Sequence, residues 1–252
     1  DVLKRYTKEE LKTMEDKLAP KNKQTPLPDL FKGWETSDVY DQEFLKFVES
    51  QGALAVLKSR SMLLGILHPD GTYYYQNGSL KPLPYFTIMA EHFGRLTRMI
   101  KKGVTPKIRL NLETEFYNEQ KNNVNIIGEL SGTDPKLKYE TILIGAHFDS
   151  WHSGTGATDN GANSVVLVEA LRILKQIGYK PKRTVKMGLW GGEEQAFLGS
   201  AAYAKKHFGK LNEKPNRASK KISVYLNLDN GAGAIRGLYL QKNEFARPVF
   251  NK

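Results

Sequence analysis

From residue 141 onward, strand-length apolar runs alternate with helix-length segments, and this alternation restricts the chain to few architectures. Thr141 to Ala146, Thr184 to Trp190 and Ile222 to Leu228 are short and apolar enough for buried strands. Between them, Asn163 to Ile177 carries Val165, Val166, Leu167, Val168, Ala170, Leu171, Ile173 and Leu174, which predicts a heavily buried helix. Gln195 to Phe208 is the next helical segment. Upstream, Ile108 to Tyr117 alternates as a half-exposed strand, and Asn123 to Leu130 gives another. Strand, helix, strand, helix, strand implies an α/β fold with a mostly parallel sheet and helices on both faces. In such sheets chemistry gathers beyond the carboxyl ends of the strands.

The first 105 residues have a different pattern. Thr7 to Leu18 predicts a short helix, with Thr7 and Glu10 at capping-box spacing, and Pro20, Pro26 and Pro28 mark the loop after it. Asp41 to Ser50 reads as an amphipathic helix with Phe44, Leu45, Phe47 and Val48 on its apolar face. Ala53 to Leu57 and Met62 to Leu67 read as strands, and Pro69-Asp70-Gly71 as a turn. A strand over Tyr85 to Ile88 precedes a helix over Ala90 to Lys102, closed by Gly103 and Pro106. Two domains are expected, 1–105 and 106–252.

Composition narrows the function. Hydrophobic residues at 40% and charged residues at 26% suit a packed core rather than disorder. No apolar run reaches the length of a membrane span, so membrane insertion is not expected, and Asp1 to Glu10 is too charged for a signal peptide. The formal charge of +11 raises the question of nucleic acid. The basic stretches Lys180 to Lys186 and Lys205 to Lys221 lack the interleaved aromatics that stack bases, so a solvated surface and no nucleic-acid partner are expected. With no cysteine, any metal must sit on His, Asp and Glu.

Those residue types collect at strand ends. Thr141 to Ala146 runs into His147-Phe148-Asp149-Ser150, Thr184 to Trp190 into Gly191-Gly192-Glu193-Glu194, and Ile222 to Leu228 into Asp229-Asn230. The glycine-rich loop Gly154 to Gly161 places Asp159 at the start of a helix. Carboxylates from separate strand ends crowd like charges into one crevice, at a cost unless a cation binds there. Imidazole with carboxylates suits zinc, and one bridging carboxylate suits a pair of zincs. Asp149, two residues after His147, lies on the same side of an extended chain and is placed to orient the imidazole. Adjacent Glu193 and Glu194 point apart in an extended segment, so one can ligate metal while the other serves as general base.

The series His147-x-Asp149, Gly156-Ala157-Thr158-Asp159-Asn160-Gly161, Glu193-Glu194 and Asp229 resembles the co-catalytic di-zinc exopeptidases. These include bacterial leucyl aminopeptidases, glutamate carboxypeptidase and carboxypeptidase Q. The wording Gly145-Ala146-His147-Phe148-Asp149-Ser150-Trp151 looks closest to the carboxypeptidase Q branch. Residues 35 to 105, with Leu83-Pro84 before a strand and a Gly-terminated helix, resemble the protease-associated domain that accompanies such enzymes. The resemblance implies two zinc ions. His147 and Asp229 would hold one, Glu194 would help hold the other, and Asp159 would bridge both. It makes Glu193 the general acid/base and Asp149 the partner of His147. The implied substrates are peptides or dipeptides cleaved near a free amino terminus, the implied location is periplasmic or extracellular with an export signal upstream of Asp1, and a homodimer is compatible with it.

Two departures qualify the match. Relatives often have an acidic residue where His152 stands. The family also has a final zinc histidine well beyond the aspartate ligand. No histidine follows Asp229, so the sequence is expected to be part of a longer polypeptide with one zinc position incomplete. His68, His92 and His207 are expected to lie away from the site, which leaves His152 as the substitute ligand to consider. Competing readings are a catalytically inactive interaction domain on the same scaffold and a single-zinc, glutaminyl-cyclase-like enzyme.

Overall fold

The computed structural model describes residues 7–10, 12–13, 43–59, 67, 83–113, 123–152, 154–209, 214–229, 231–241 and 243–250. The expected loop at Pro20 to Pro28, the turn Pro69-Asp70-Gly71 and the strand Met62 to Leu67, apart from its last residue, lie outside them. So does the part of Ile108 to Tyr117 beyond Glu113.

Chain contacts divide the protein into two units, Asp1–Ala53 with Arg236–Lys252, and Leu54–Ile235. In the first, Thr7 and Glu10 form the expected capping box: the Thr7 N–H donates to Glu10 Oε2 at 2.8 Å, and the Glu10 N–H donates to Thr7 Oγ1 at 3.2 Å. Residues 43–50 are helical, and 247–250 form one further helical turn.

The second unit contains two sheets. The smaller pairs β1 (Val56–Ser59) in parallel with β2 (Tyr85–Ile88), Val56 facing Tyr85 and Ser59 facing Ile88. The helix Ala90–Lys101 follows β2 directly, and Gly103 takes a positive φ of 75° just beyond its end. β1 starts three residues later than expected, at Val56. Residues 107–113 form no strand. Their alternation supplies a face but no paired neighbour, and Ile108, Leu110 and Leu112 are exposed.

The larger sheet has the order β3-β5-β4-β6, made of β3 (Ile126–Leu130), β4 (Thr141–His147), β5 (Thr184–Trp190) and β6 (Ile222–Asn227). β4 is parallel to β5 and β6, and β3 runs antiparallel along the outer edge of β5. The sheet is therefore mostly parallel, as expected, with one antiparallel edge. Pairing of β4 with β5 holds register from Thr141–Thr184 to His147–Trp190, and the Phe148 N–H donates to the Trp190 carbonyl at 3.0 Å. This ladder carries rigid geometry up to the histidine itself.

Alternation along β4 and β5 divides the packing. Ile144, Ala146, Met187 and Leu189 face Leu167 and Leu171 of the helix Ala162–Gln176. On the other side, Gly145 and Gly188 form a floor under the indole of Trp190. The Trp190 Nε1–H donates to the Tyr225 hydroxyl at 2.9 Å, and the ring lies 5.1 Å from that of Tyr203 on the helix Leu198–Phe208.

The helix Ala162–Gln176 departs from expectation in its burial. Asn163, Ser164 and Leu167 are buried, whereas Val165, Val166, Val168, Ile173 and Ile177 are exposed. A helix resting on one sheet covers a stripe of its surface, and all-round hydrophobicity in the sequence does not say which stripe. The second helix begins at Leu198 rather than Gln195, since Ala196 and Phe197 take positive φ values of 73° and 60° that no helix accommodates. Among the described residues no helix is long and apolar enough to cross a membrane.

At Gly188 an added Cβ would overlap the six-membered ring of Trp190, a buried side chain held by its hydrogen bond to Tyr225. Gly188→Ala should destabilise the protein by about 1–3 kcal/mol through overpacking. A lower urea midpoint at unchanged slope is the expected result, and an unaltered midpoint would contradict this packing.

Candidate metal centre

His147 ends β4 with its side chain 2% exposed. Its Nδ1 faces the Asp149 carbonyl at 3.1 Å, so that nitrogen keeps its proton and Nε2 is turned toward the acids. Nε2 lies 3.0 Å from Asp159 Oδ1, 3.2 Å from Asp229 Oδ1 and 3.8 Å from Glu193 Oε2. The carboxylates come from the loop before the helix, from just past β6 and from the turn after β5. Two donor groups share the histidine: His147, Asp159 and Asp229 form one, and His147, Glu193 and Glu194 the other.

Asp149 is bound differently from expectation. Its Oδ1 lies 3.5 Å from His147 Nδ1, farther than its own backbone carbonyl, and its carboxylate accepts the N–H groups of Glu193 at 3.0 Å and Glu194 at 3.2 Å. It thereby ties the turn after β5 to the end of β4. Gly192, with φ of 66°, supplies the reversal that lets both N–H groups point at one carboxylate.

The electrostatics follow from crowding. Burial opposes charge on His147, but the hydrogen bond and charge of Asp229, with the charges of Glu193 and Asp149, outweigh it and push the imidazole up to about 9. Burial pushes Glu193 up to about 7 against the pull of His147, with Asp229, Glu194 and Asp149 adding repulsion. Glu194 is also raised, by burial first and then by the charge of Asp159.

This donor set fits a metal. Glu194 Oε1 is buried without a hydrogen-bond partner, a costly placement for a carboxylate oxygen that a cation would relieve. A bound cation would take the place of the Nε2 proton of His147 while the Asp149 carbonyl keeps the Nδ1 proton. Imidazole with carboxylates and no thiolate is a donor chemistry suited to zinc. A groove of about 280 Å³ opens alongside, lined by Ser150, Trp151, Thr155, Thr158, Asp159 and Glu194 among others.

His147, Asp149, Asp159, Glu193, Glu194 and Asp229 are thus brought together by hydrogen bonds, short contacts or mutual charge. His152 is exposed and belongs to neither donor group, and His207 lies against Tyr203, ring centroids 4.3 Å apart. His92 is on the surface of the Ala90–Lys101 helix, and His68 lies outside the described residues. Sequence reasoning missed Asn160, Asn163 and Ser164. Asn160 is fully buried and its Nδ2 donates to the Leu228 carbonyl at 3.0 Å, while Ser164 Oγ donates to the His147 carbonyl at 2.7 Å. Their signal was available as polar residues at i, i+3 and i+4 on the inward face of a helix start.

The fold and donor set define the class: an α/β protein whose strand ends present a buried imidazole among carboxylates as a candidate metal centre. Residues 125–249 match peptidase family M28, and the chain carries a domain of that family. Carboxypeptidase Q from Pongo abelii is 31% identical over 202 residues, 80% of this chain and 40% of that protein. Carboxypeptidase Q from Mus musculus is 28% identical over 223 residues, 88% of this chain and 45% of the relative. An aminopeptidase of Pseudomonas aeruginosa is 30% identical over 125 residues, 50% of this chain and 21% of its own length. A peptidase M28 precursor from Shewanella amazonensis, solved by crystallography, aligns over 70% of this chain and 37% of its own, at 29% identity and a TM-score of 0.47. The chain spans less than half the length of these relatives.

With Asp229 the foremost group raising His147, Asp229→Asn should lower the histidine's pKa below about 9 in metal-free protein. Nitrogen-15 NMR titration of the imidazole reads this directly, and an unmoved midpoint would rule out Asp229 as its partner.

Proposed function

We propose that this chain carries the centre of a zinc-dependent exopeptidase, an aminopeptidase or dipeptidase that cleaves peptide bonds near a free amino terminus. The observation that carries the reading is the convergence of Asp159 and Asp229 on His147 Nε2 at 3.0 and 3.2 Å, with Glu193 and Glu194 beside it. The carboxypeptidase Q relatives and the aminopeptidase relative support the peptide substrate class.

In this reading His147 and Asp229 would hold one zinc, Glu194 would help hold a second, and Asp159 would serve both. The charge of Asp159 acts on Glu194 while its Oδ1 reaches His147, which supports a bridging role. Zinc held there would polarise a peptide carbonyl and make water acidic near neutral pH. Glu193, raised chiefly by burial in the metal-free protein and lying 3.8 Å from His147 Nε2, is the carboxyl placed to accept and return a proton. It takes a proton from the attacking water and returns it to the leaving amine. Asp149 fixes the backbone of both glutamates and so keeps Glu193 aimed inward. The groove beside Asp159 and Glu194 is the place for the substrate's end. Residues 1–105 take the part of an accessory, protease-associated-like domain, a role supported by the position of all six site residues after residue 140.

In the intact enzyme, Glu193→Gln should lower turnover by about 10²- to 10⁴-fold with zinc retained, because a proton acceptor is removed and no ligand. Turnover near the wild-type rate on an aminoacyl or dipeptide substrate would defeat the assignment. Asp159→Asn should lose both zinc and activity, since an amide bridges poorly. Full zinc content by metal analysis would leave Asp159 as a helix-start residue alone.

A further inference from the structure

We infer that Asn160 is a positioning residue that sets the spacing of the metal-binding carboxylates Asp159 and Asp229. The inference rests on the metal-centre reading above and adds to it a residue that touches neither metal nor substrate. Asn160 is the one fully buried large side chain among the described residues, and burying a primary amide is unfavourable unless its hydrogen bonds are met. They are met in a way that links the site. Its Nδ2 donates to the carbonyl of Leu228, 68 positions away and immediately before Asp229. Its Oδ1 accepts from Asn163 Nδ2, which fixes the orientation of the amide. Asn160 itself directly follows Asp159, so one side chain couples the backbones that carry both acids of the His147 group.

One turn further on, Ser164 Oγ donates to the carbonyl of His147. The helix start thus holds the backbones of His147, Asp159 and Asp229 together. The Leu228 N–H is spent on the Gly145 carbonyl at 2.8 Å, which holds the preceding peptide from the β4 side. Asp229 lies past the last β6 residue, Asn227, where ladder pairing no longer fixes the chain. The Asn160 amide takes over that task at the point where the ligand needs it. Asp159 needs it as well, since its φ and ψ of −118° and 90° lie outside helical values and its side chain is 65% exposed, with little packing to hold it.

Loss of such an outer contact to ligand-bearing backbone should weaken zinc binding about 10- to 100-fold. The test compares Asn160→Ala with Thr184→Val, which removes a hydroxyl bonded to the Lys138 carbonyl and the Gly132 N–H at the opposite end of the strands. Zinc affinity by competition with a chromophoric chelator and stability by urea unfolding are measured for both in metal-free protein. Weakened zinc binding in Asn160→Ala, with wild-type affinity in Thr184→Val at comparable loss of stability, is the expected result. Wild-type affinity in Asn160→Ala, or equal weakening in both variants, overturns the inference. Should Asn160→Ala not fold, Asn163→Ala leaves the amide in place and frees its orientation. A smaller drop in zinc affinity then supports the inference, and none overturns it. Wild-type protein that takes up no zinc overturns the metal-centre reading and this inference with it, whereas the preceding outcomes bear on Asn160 alone.

Discussion

Repulsion among the strand-end carboxylates is the constraint on which the rest of the site depends. Asp149, Asp159, Glu193, Glu194 and Asp229 converge around one imidazole, and the consequences are visible on both sides of the charge balance. His147 is driven up to about 9, Glu193 is pushed to about 7 by burial first and by its carboxylate neighbours after it, and Glu194 keeps a buried oxygen without a partner. A fold can hold such an arrangement only if the backbone is fixed independently of the charges. The β4–β5 ladder, paired without a break from Thr141 to His147, provides that rigidity. The helix start beyond Asp159 provides the rest, through buried neutral hydrogen bonds that do not respond to the charge state of the acids.

Much of this was legible in the sequence. The strand β2 and the helix at Ala90 were readable because Pro84 and the glycine after Lys102 bound them with strong local signals, and β5 because its apolar run is short. The six candidate residues were legible as neighbours because each follows a strand or opens a helix, and a strand end has a definite place in a parallel sheet. What failed was anything set by neighbours distant in sequence. Ile108 to Leu112 alternates correctly but pairs with nothing among residues 107–113, and the apolar helix after Gly161 buries a single stripe. Period alone identifies an element and leaves its partner open.

The same distinction explains Asp149. From spacing, a carboxylate two residues after a histidine belongs beside its ring, and Oδ1 does lie 3.5 Å from Nδ1. The backbone carbonyl of the same residue is nearer, at 3.1 Å, so the side chain is released to accept two N–H groups from a turn 44 and 45 positions away. Sequence spacing sees the local partner. Only the sheet, by bringing the end of β5 next to the end of β4, creates the second one.

Glu193 and Glu194 show how that turn gives two chemically identical neighbours different surroundings within one donor group. Both backbones are pinned by one carboxylate, and the two side chains, expected from an extended segment to point apart, instead each bring a carboxylate oxygen into one donor group with His147. Glu193 reaches toward His147 Nε2 at 3.8 Å, where the imidazole's charge draws its pKa down even as burial raises it. Glu194 borders the groove with Asp159, and its buried Oε1 has no proton donor to meet. A largely buried carboxyl whose pKa is raised by its surroundings is fitted to exchange protons. One deprived of donors and placed beside a second carboxylate is fitted to a cation. The different surroundings of the two glutamates therefore arise from the geometry of a Gly-Gly turn fastened to Asp149, and the proposed division of labour requires no difference between the two residues themselves.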